Sequence, residues 1–224
     1  MIEKRIQESL RFWRHNLGPL LTVTLPFAIV GVLLQVWLGA PFVIVDETAQ
    51  VNGAGVMAYL MLYPFAEGAI IAQLAAIQAG RPRGLADCLA FAVPIAPMLF
   101  IVYALIYLPT GMGLMAFILP GAWIYTRLCL APYILALEKK SIGIALRDSL
   151  VRTAGDQWLM MLTLCVLVLP LLVVISGIQA VIGIVLGDNL VATLLIAAIS
   201  GLLLALVNVL VFRFHVLAQP PQAV

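Results

Sequence analysis

Six stretches of this chain, 17–39, 56–79, 88–109, 114–136, 158–186 and 190–212, run for about twenty residues or more with almost no charge. That recurrence restricts the fold more than any other feature. A helix needs roughly 20 mostly apolar residues to cross the hydrocarbon of a bilayer, and each stretch meets that length. With 64% of its residues hydrophobic and 10% charged, the chain has far more apolar surface than a water-soluble core of 224 residues hides. Strands of a membrane barrel alternate apolar and polar residues; these stretches are apolar all round. The expected fold is all-α: one polytopic membrane domain over residues 1–224, a bundle of six transmembrane helices.

Charge sets the expected orientation. Of twelve Lys and Arg, four lie in 1–16, two at Arg81 and Arg83, four in 137–157, and Arg213 closes the last stretch. The opposite loops, 40–55, 110–113 and 187–189, carry only Asp46, Glu47 and Asp188. Lys and Arg stay on the cytoplasmic side, so both termini are expected there, in the inner membrane of a bacterium. Arg127 alone falls inside a stretch. A cleaved signal peptide is a poor account of 1–40, because the leading region is long and holds Glu3 and Glu8. Cys88, Cys129 and Cys165 have no CxxC spacing and read as free thiols.

Two leads are amphipathic. Ile2, Ile6, Leu10, Trp13 and Leu17 recur at helical spacing opposite Glu3, Arg5, Glu8 and Arg11, which predicts an N-terminal helix lying in the headgroup plane. Ser141 is placed to cap a second such helix over 141–156, its softer face made by Ile142, Leu146, Ser149, Leu150 and Thr153. The four residues TGMG at 110–113 read as a turn between the third and fourth spans. Glu8-Ser9-Leu10, Asp87-Cys88-Leu89 and Asp148-Ser149-Leu150 echo one another at the start of outward-going helices. Three repeated hairpins explain the echo, and so does coincidence at similar interface positions.

Glu67 and Arg127 are the charges within the spans, at similar expected depth. A lone charge at midplane costs from roughly 3 to over 10 kcal/mol, so the economical arrangement is a pair between the second and fourth helices. Two readings stand: an ion pair that orients helices, and a gate or polar contact for a substrate. Gln73, Gln179 and Asn208 either extend a polar path or bond singly to neighbouring helices. Gly68, Ala72, Ala76 and Gly80 form a small-residue ridge, matched by Ala197, Gly201 and Ala205 in the sixth span; such ridges let helices approach closely, here the second and the sixth.

The pieces AGRPRGLADCLAFAVPIAPMLF, LPGAWIYTRLCLAPYILALEKKSIGIALRDSL and VFRFHVLA resemble the YciC-type bacterial inner-membrane proteins. The shared features are Pro-Gly opening the fourth span, Ala-Pro before its far end, and an amphipathic segment ending in Ser-Leu. A more distant likeness is to the membrane domains attached to some glycerophosphodiester phosphodiesterases; the phosphodiesterase domain itself has no counterpart in these residues. The resemblance implies a six-helix inner-membrane protein, with no activity and no catalytic residues to carry over.

Enzyme chemistry is not expected. His15 and His215, the two histidines, sit on charged flanks, whereas a Ser–His or His–metal site needs histidine within the bundle. No GxxxxGK[ST] loop is present. No cofactor, metal or nucleic acid is expected, and membrane lipids are the expected partners, with a protein partner or a second copy beside them. One functional reading is a transport-type bundle handling a lipid or small amphipathic solute. The others are a scaffold docking a partner through its cytoplasmic helices, and the substrate-binding membrane subunit of an ABC-type importer.

Overall fold

A computed structural model describes residues 2–45, 48–187 and 189–218; Asp46, Glu47 and Asp188 lie outside them. The described chain runs α1 (Ile2–His15), α2 (Leu17–Leu38), a hairpin of β1 (Phe42–Val45) and β2 (Thr48–Val51), α3 (Gly53–Gln78), α4 (Leu85–Ala116), α5 (Ile118–Leu128), α6 (Ala131–Glu138), α7 (Ile142–Thr153), α8 (Gln157–Leu186) and α9 (Leu190–Leu217). Six segments are long and apolar enough to cross a membrane, α5 and α6 together counting as one. Trp37, Met115 and Ile184 are 87%, 91% and 84% exposed. Apolar residues displayed on that scale suit lipid and not water. The chain is an all-α polytopic membrane bundle carrying one short hairpin.

The hairpin pairs Phe42 with Val51 and Val45 with Thr48, a use of β-branched residues that the loop's length alone did not announce. Asn52 ties its base: the side chain accepts from the Ala54 N–H at 3.2 Å, capping α3, and donates to the Leu38 carbonyl at 2.6 Å.

Thr110–Gly113 is not a turn. α4 continues through it to Ala116, and the reversal comes at extended Phe117. The glycine there serves a crossing instead. A Cβ on Gly113 would lie 2.9 Å from the Gly121 Cα, and one on Gly121 would lie 2.6 Å from the Leu114 nitrogen. α4 and α5 pass backbone to backbone at this point.

The fourth span breaks in its interior. Pro132 has no N–H to offer the Leu128 carbonyl, so α5 stops at Leu128 and α6 starts at Ala131. α7 docks at the break. Its Ser149 hydroxyl donates to the Arg127 carbonyl at 2.8 Å, and Thr153 reaches the same oxygen at 3.4 Å. Ala145, Ser149 and Thr153 are buried, Ile142 and Leu146 pack partly against the core, and Leu150 of the expected face is exposed, so the docked face is the expected one in part, shifted toward Ala145. Ser141 precedes α7 without the expected side-chain cap, offering only its carbonyl to the Ala145 N–H.

α1 also departs from the expectation of a helix spread in the headgroup plane. Arg5 lies over the Phe214 ring at 6.0 Å, Glu8 pairs with Arg213 at 3.3 Å, and the Trp13 indole donates to the Leu202 carbonyl at 2.9 Å. These contacts descend along α9 as they ascend α1, so α1 runs lengthwise and antiparallel on α9, with α8 beside it. Its apolar stripe is satisfied by protein. In all three echoing tripeptides the small residue is buried and donates to an oxygen: Ser9 to the Arg5 carbonyl, Cys88 to Gln73, Ser149 to the Arg127 carbonyl.

Burial is concentrated at one end of the bundle. Glu67–Ala76 of α3, Ala131–Ala136 of α6 and Ala205–His215 of α9 supply much of the core, while α9 before Ala205 buries only Ala192. The larger cavity described below is lined in part by this less buried stretch of α9, at Ala197, Ser200, Gly201 and Leu204.

Candidate functional site

The site grows from α3, where Tyr59, Tyr63 and Glu67 follow one another at four-residue steps and so share a face. Tyr103 and Tyr107 make the same step on α4, and α5 and α6 add Tyr125 and Tyr133. Glu67 is 8% exposed, and its two oxygens accept from two different helices: Oε2 from the Tyr103 hydroxyl at 3.2 Å, Oε1 from Asn208 Nδ2 of α9 at 3.3 Å. The Tyr133 hydroxyl donates to the Asn208 carbonyl at 3.0 Å and faces its Oδ1 at 3.3 Å. Tyr63 and Tyr107 share a hydroxyl hydrogen bond of 2.6 Å. Tyr63 meets Tyr103 edge-on at 4.9 Å between ring centres, and Tyr107 stacks near Tyr125 at 6.4 Å. Five tyrosines thus surround one carboxyl, enclosing a space of about 20 Å³ with Cys129 and Pro132. That is room for a single water.

A second and larger cavity shares the wall made by Tyr63, Glu67 and Asn208. It lies between α2, α3 and α9 and measures about 330 Å³. Phe27, Ala28, Leu62, Ile70, Ala197 and Leu204 make it mostly apolar; Tyr59 and Leu204 on its rim are exposed, so it opens toward the lipid-facing surface. At the polar end stand Glu67, Asn208 and Thr24. The Thr24 hydroxyl is buried without a hydrogen-bond partner among the described residues.

Glu67 and Arg127 are not an ion pair: the ion pairs among the described residues do not join them. Neutral donors from α4 and α9 occupy the carboxyl, and the Arg127 guanidinium lies over Trp123, one turn back on its own helix, at 5.8 Å. Arg127 Nε and Nη1 are buried without partners. Of the amides, Asn208 belongs to the site. Gln73 does not: fully buried, it donates to the Pro19 carbonyl at 3.0 Å and accepts from the Arg83 N–H at 3.1 Å, fastening α2 and the turn before α4 to α3. Gln179 is exposed on α8 and lines neither cavity.

The two small-residue ridges do not meet as expected. Gly68 packs on α4, where a Cβ would stand 3.0 Å from that of Ala92, and Ala72 and Ala76 are buried beside it in α3. Gly80 ends α3 with a φ of +70° and borders open space. Ala197, Gly201 and Ala205 line the larger cavity, and a Cβ on Gly201 would meet nothing within 4 Å. Smallness in α9 makes room and not contact.

At the packed end of the bundle Arg152 grips Glu138 with two hydrogen bonds, 2.5 and 2.7 Å, and Lys140 reaches Glu138 at 2.9 Å and Asp148 at 2.6 Å. Arg152 is held above its ordinary pKa, first by its hydrogen bonds to Glu138, and Lys140 likewise, first by Asp148 and then by Glu138. His215 is within the bundle after all. α9 extends past residue 212, and the ring is fully buried beside Tyr133 and Phe212, with Nε2 3.8 Å from Glu138. Among the described residues no group of three or more His, Cys, Asp or Glu stands where it could hold a metal.

The tyrosines are what sequence reasoning missed. Their four-residue steps were legible, but in an apolar helix a tyrosine reads as one more large side chain.

No family model matches the chain, and no solved structure does. It is 29% identical over 157 residues to a UPF0259 membrane protein of Yersinia pestis (strain Pestoides F), and equally to one of Yersinia pseudotuberculosis serotype O:3 (strain YPIII). The match takes in 68% of this chain and 59% of each relative, so the chain spans about three fifths of their length. The chain is similar to bacterial UPF0259 membrane proteins, a name that assigns no activity.

Proposed function

We propose that the chain is a transport-type bundle that binds a small amphipathic molecule in the cavity between α2, α3 and α9. The single observation behind this is a mostly apolar cavity of about 330 Å³ with a buried carboxyl, a carboxamide and an unpartnered hydroxyl at one end. Ligand sites have that composition. Glu67 accepts from Tyr103 and Asn208 with Tyr63 also against it, and a carboxyl group offers about four acceptor sites, so the matching head is a donor, an amine or a hydroxyl, with an alkyl part against Phe27, Ile70 and Leu204.

Gly201→Leu tests it. The new side chain enters open space and replaces a helical glycine, so the fold should hold or gain stability while the cavity fills. In nanodiscs, a long-chain alkylamine should raise the Tm of the wild type at lower concentration than an alkyl sulfate of equal length. Gly201→Leu should abolish that difference. Equal responses of the two proteins would overturn the proposal.

The scaffold reading loses support at α1, whose apolar stripe packs on the bundle; α7 buries Ala145, Ser149 and Thr153 but leaves Ile144, Leu150 and Val151 exposed. In the reading adopted here the chain stands with the YciC-type proteins of the bacterial inner membrane, does no catalysis, and keeps both termini in the cytoplasm. The positive-inside pattern supports the orientation. Cysteine labelling on a background without native thiols should leave position 140 protected from an impermeant external reagent and position 52 accessible. The reverse pattern would invert the topology.

A further inference from the structure

We infer that the groove between α4 and α6 seats an anionic phospholipid, with its phosphate on Lys139. The groove measures about 430 Å³ and lies on a different face from the α2–α3–α9 cavity, sharing no residue with it. Phe91, Pro94, Met98 and Leu135 give it an apolar wall, and Lys139 and Lys140 stand at one end. The two lysines differ. Lys140 is engaged by Glu138 and Asp148, whereas Lys139 is exposed and enters no ion pair among the described residues.

The backbone sharpens the contrast. Lys139 is the one non-glycine residue with positive φ among those described, +53°, at the C-cap of α6. Helices commonly end on such a left-handed residue, and glycine is the usual choice because it has no Cβ to strain. A lysine held there is disfavoured by its backbone, and no ion pair among the described residues engages its ammonium. An outlier of this kind points to use of the side chain. A free cation at the mouth of an apolar groove that faces lipid matches one chemistry: an acyl chain in the groove under a headgroup of net negative charge.

Lys139→Gly separates charge from fold, since it relieves the strained φ while removing the ammonium. Wild-type protein in detergent should gain Tm on adding phosphatidylglycerol and less on adding phosphatidylcholine, whose phosphate is balanced by choline. Native mass spectrometry should find phosphatidylglycerol retained. Lys139→Gly should keep or raise the lipid-free Tm and weaken phosphatidylglycerol about fivefold, the scale of one lysine at an anionic lipid surface. Met98→Trp, which fills the groove and leaves Lys139 in place, should lose the same retention. Inorganic phosphate alone should shift neither protein; a shift equal to that of the lipid would make the site one for free anions and overturn the lipid assignment. Unchanged phosphatidylglycerol preference in Lys139→Gly would show that Lys139 merely extends to the interface. Because Gly201→Leu leaves this groove untouched, failure here and failure of the cavity reading are separate results.

Discussion

Gly121→Val should lower the Tm by roughly 2–12 °C, the largest effect expected of any single added side chain in the spans. The reason is geometric. A Cβ at position 121 would stand 2.6 Å from the Leu114 backbone nitrogen and 2.7 Å from its Cδ2, and one at 113 would stand 2.9 Å from the Gly121 Cα. Side-chain tips can swing aside, but backbone cannot, so α4 and α5 would have to part. Overpacking of this kind costs about 1–3 kcal/mol, and each kcal/mol is worth about 2–4 °C in a chain of this size. Gly177→Ala and Gly183→Ala in α8 are the controls, because an added Cβ meets nothing there and removing a helical glycine gains up to about 1 kcal/mol. If Gly121→Val melts where the wild type does, the two helices do not cross closely at Gly113 and Gly121, and the run at 110–113 regains its reading as a turn.

That crossing illustrates what the sequence alone can and cannot carry. Length and hydropathy decide how many helices cross, because a bilayer fixes the number of apolar residues each must have; all six spans were legible. Where a helix ends inside an apolar run is a packing matter. Thr-Gly-Met-Gly has the composition of a turn, yet it stays helical because its glycine faces another helix. Pro132 was visible, but what would dock beside the break was not: Ser149, twenty-two residues after Arg127, takes up the Arg127 carbonyl. The apolar stripe of α1 has two lawful destinations, lipid headgroups or protein, and only α9 decides between them. At the candidate site, Glu67 and Asn208 were legible as polar groups where polarity is costly. Their partnership was not, since it spans 141 positions. Arg127 was the nearer guess by charge, but it was met first by the aromatic ring one turn back on its own helix.

Asn208→Leu is expected to cost about 3 kcal/mol, the upper range for a hydrogen bond to a carboxylate whose partner is lost in a buried site, or roughly 6–12 °C in Tm. The substitution keeps the branched heavy-atom outline but deprives Glu67 Oε1 of its donor and the Tyr133 hydroxyl of one acceptor. Glu67→Leu alone should also be costly, because it strands the Tyr103 hydroxyl and Asn208 Nδ2. Together the two should cost less than their sum, with a coupling of about 0.5–3 kcal/mol as residues in one network show. Glu67→Gln combined with Arg127→Gln should behave differently and add within about 0.5 kcal/mol, since neither group bonds the other. Arg127→Met carries the sharper contrast. It removes two buried nitrogens that have no partner, and exchanging a poorly compensated buried charge for a packed apolar side chain is often neutral or stabilising. The stacking on Trp123 that it forfeits is worth about 0.5–2 kcal/mol, so the Tm should hold or rise. A strong coupling between positions 67 and 127 in the thermal data would place the guanidinium on the carboxyl and undo the arrangement in which Tyr103 of α4 and Asn208 of α9 hold Glu67 at the wall between the two cavities.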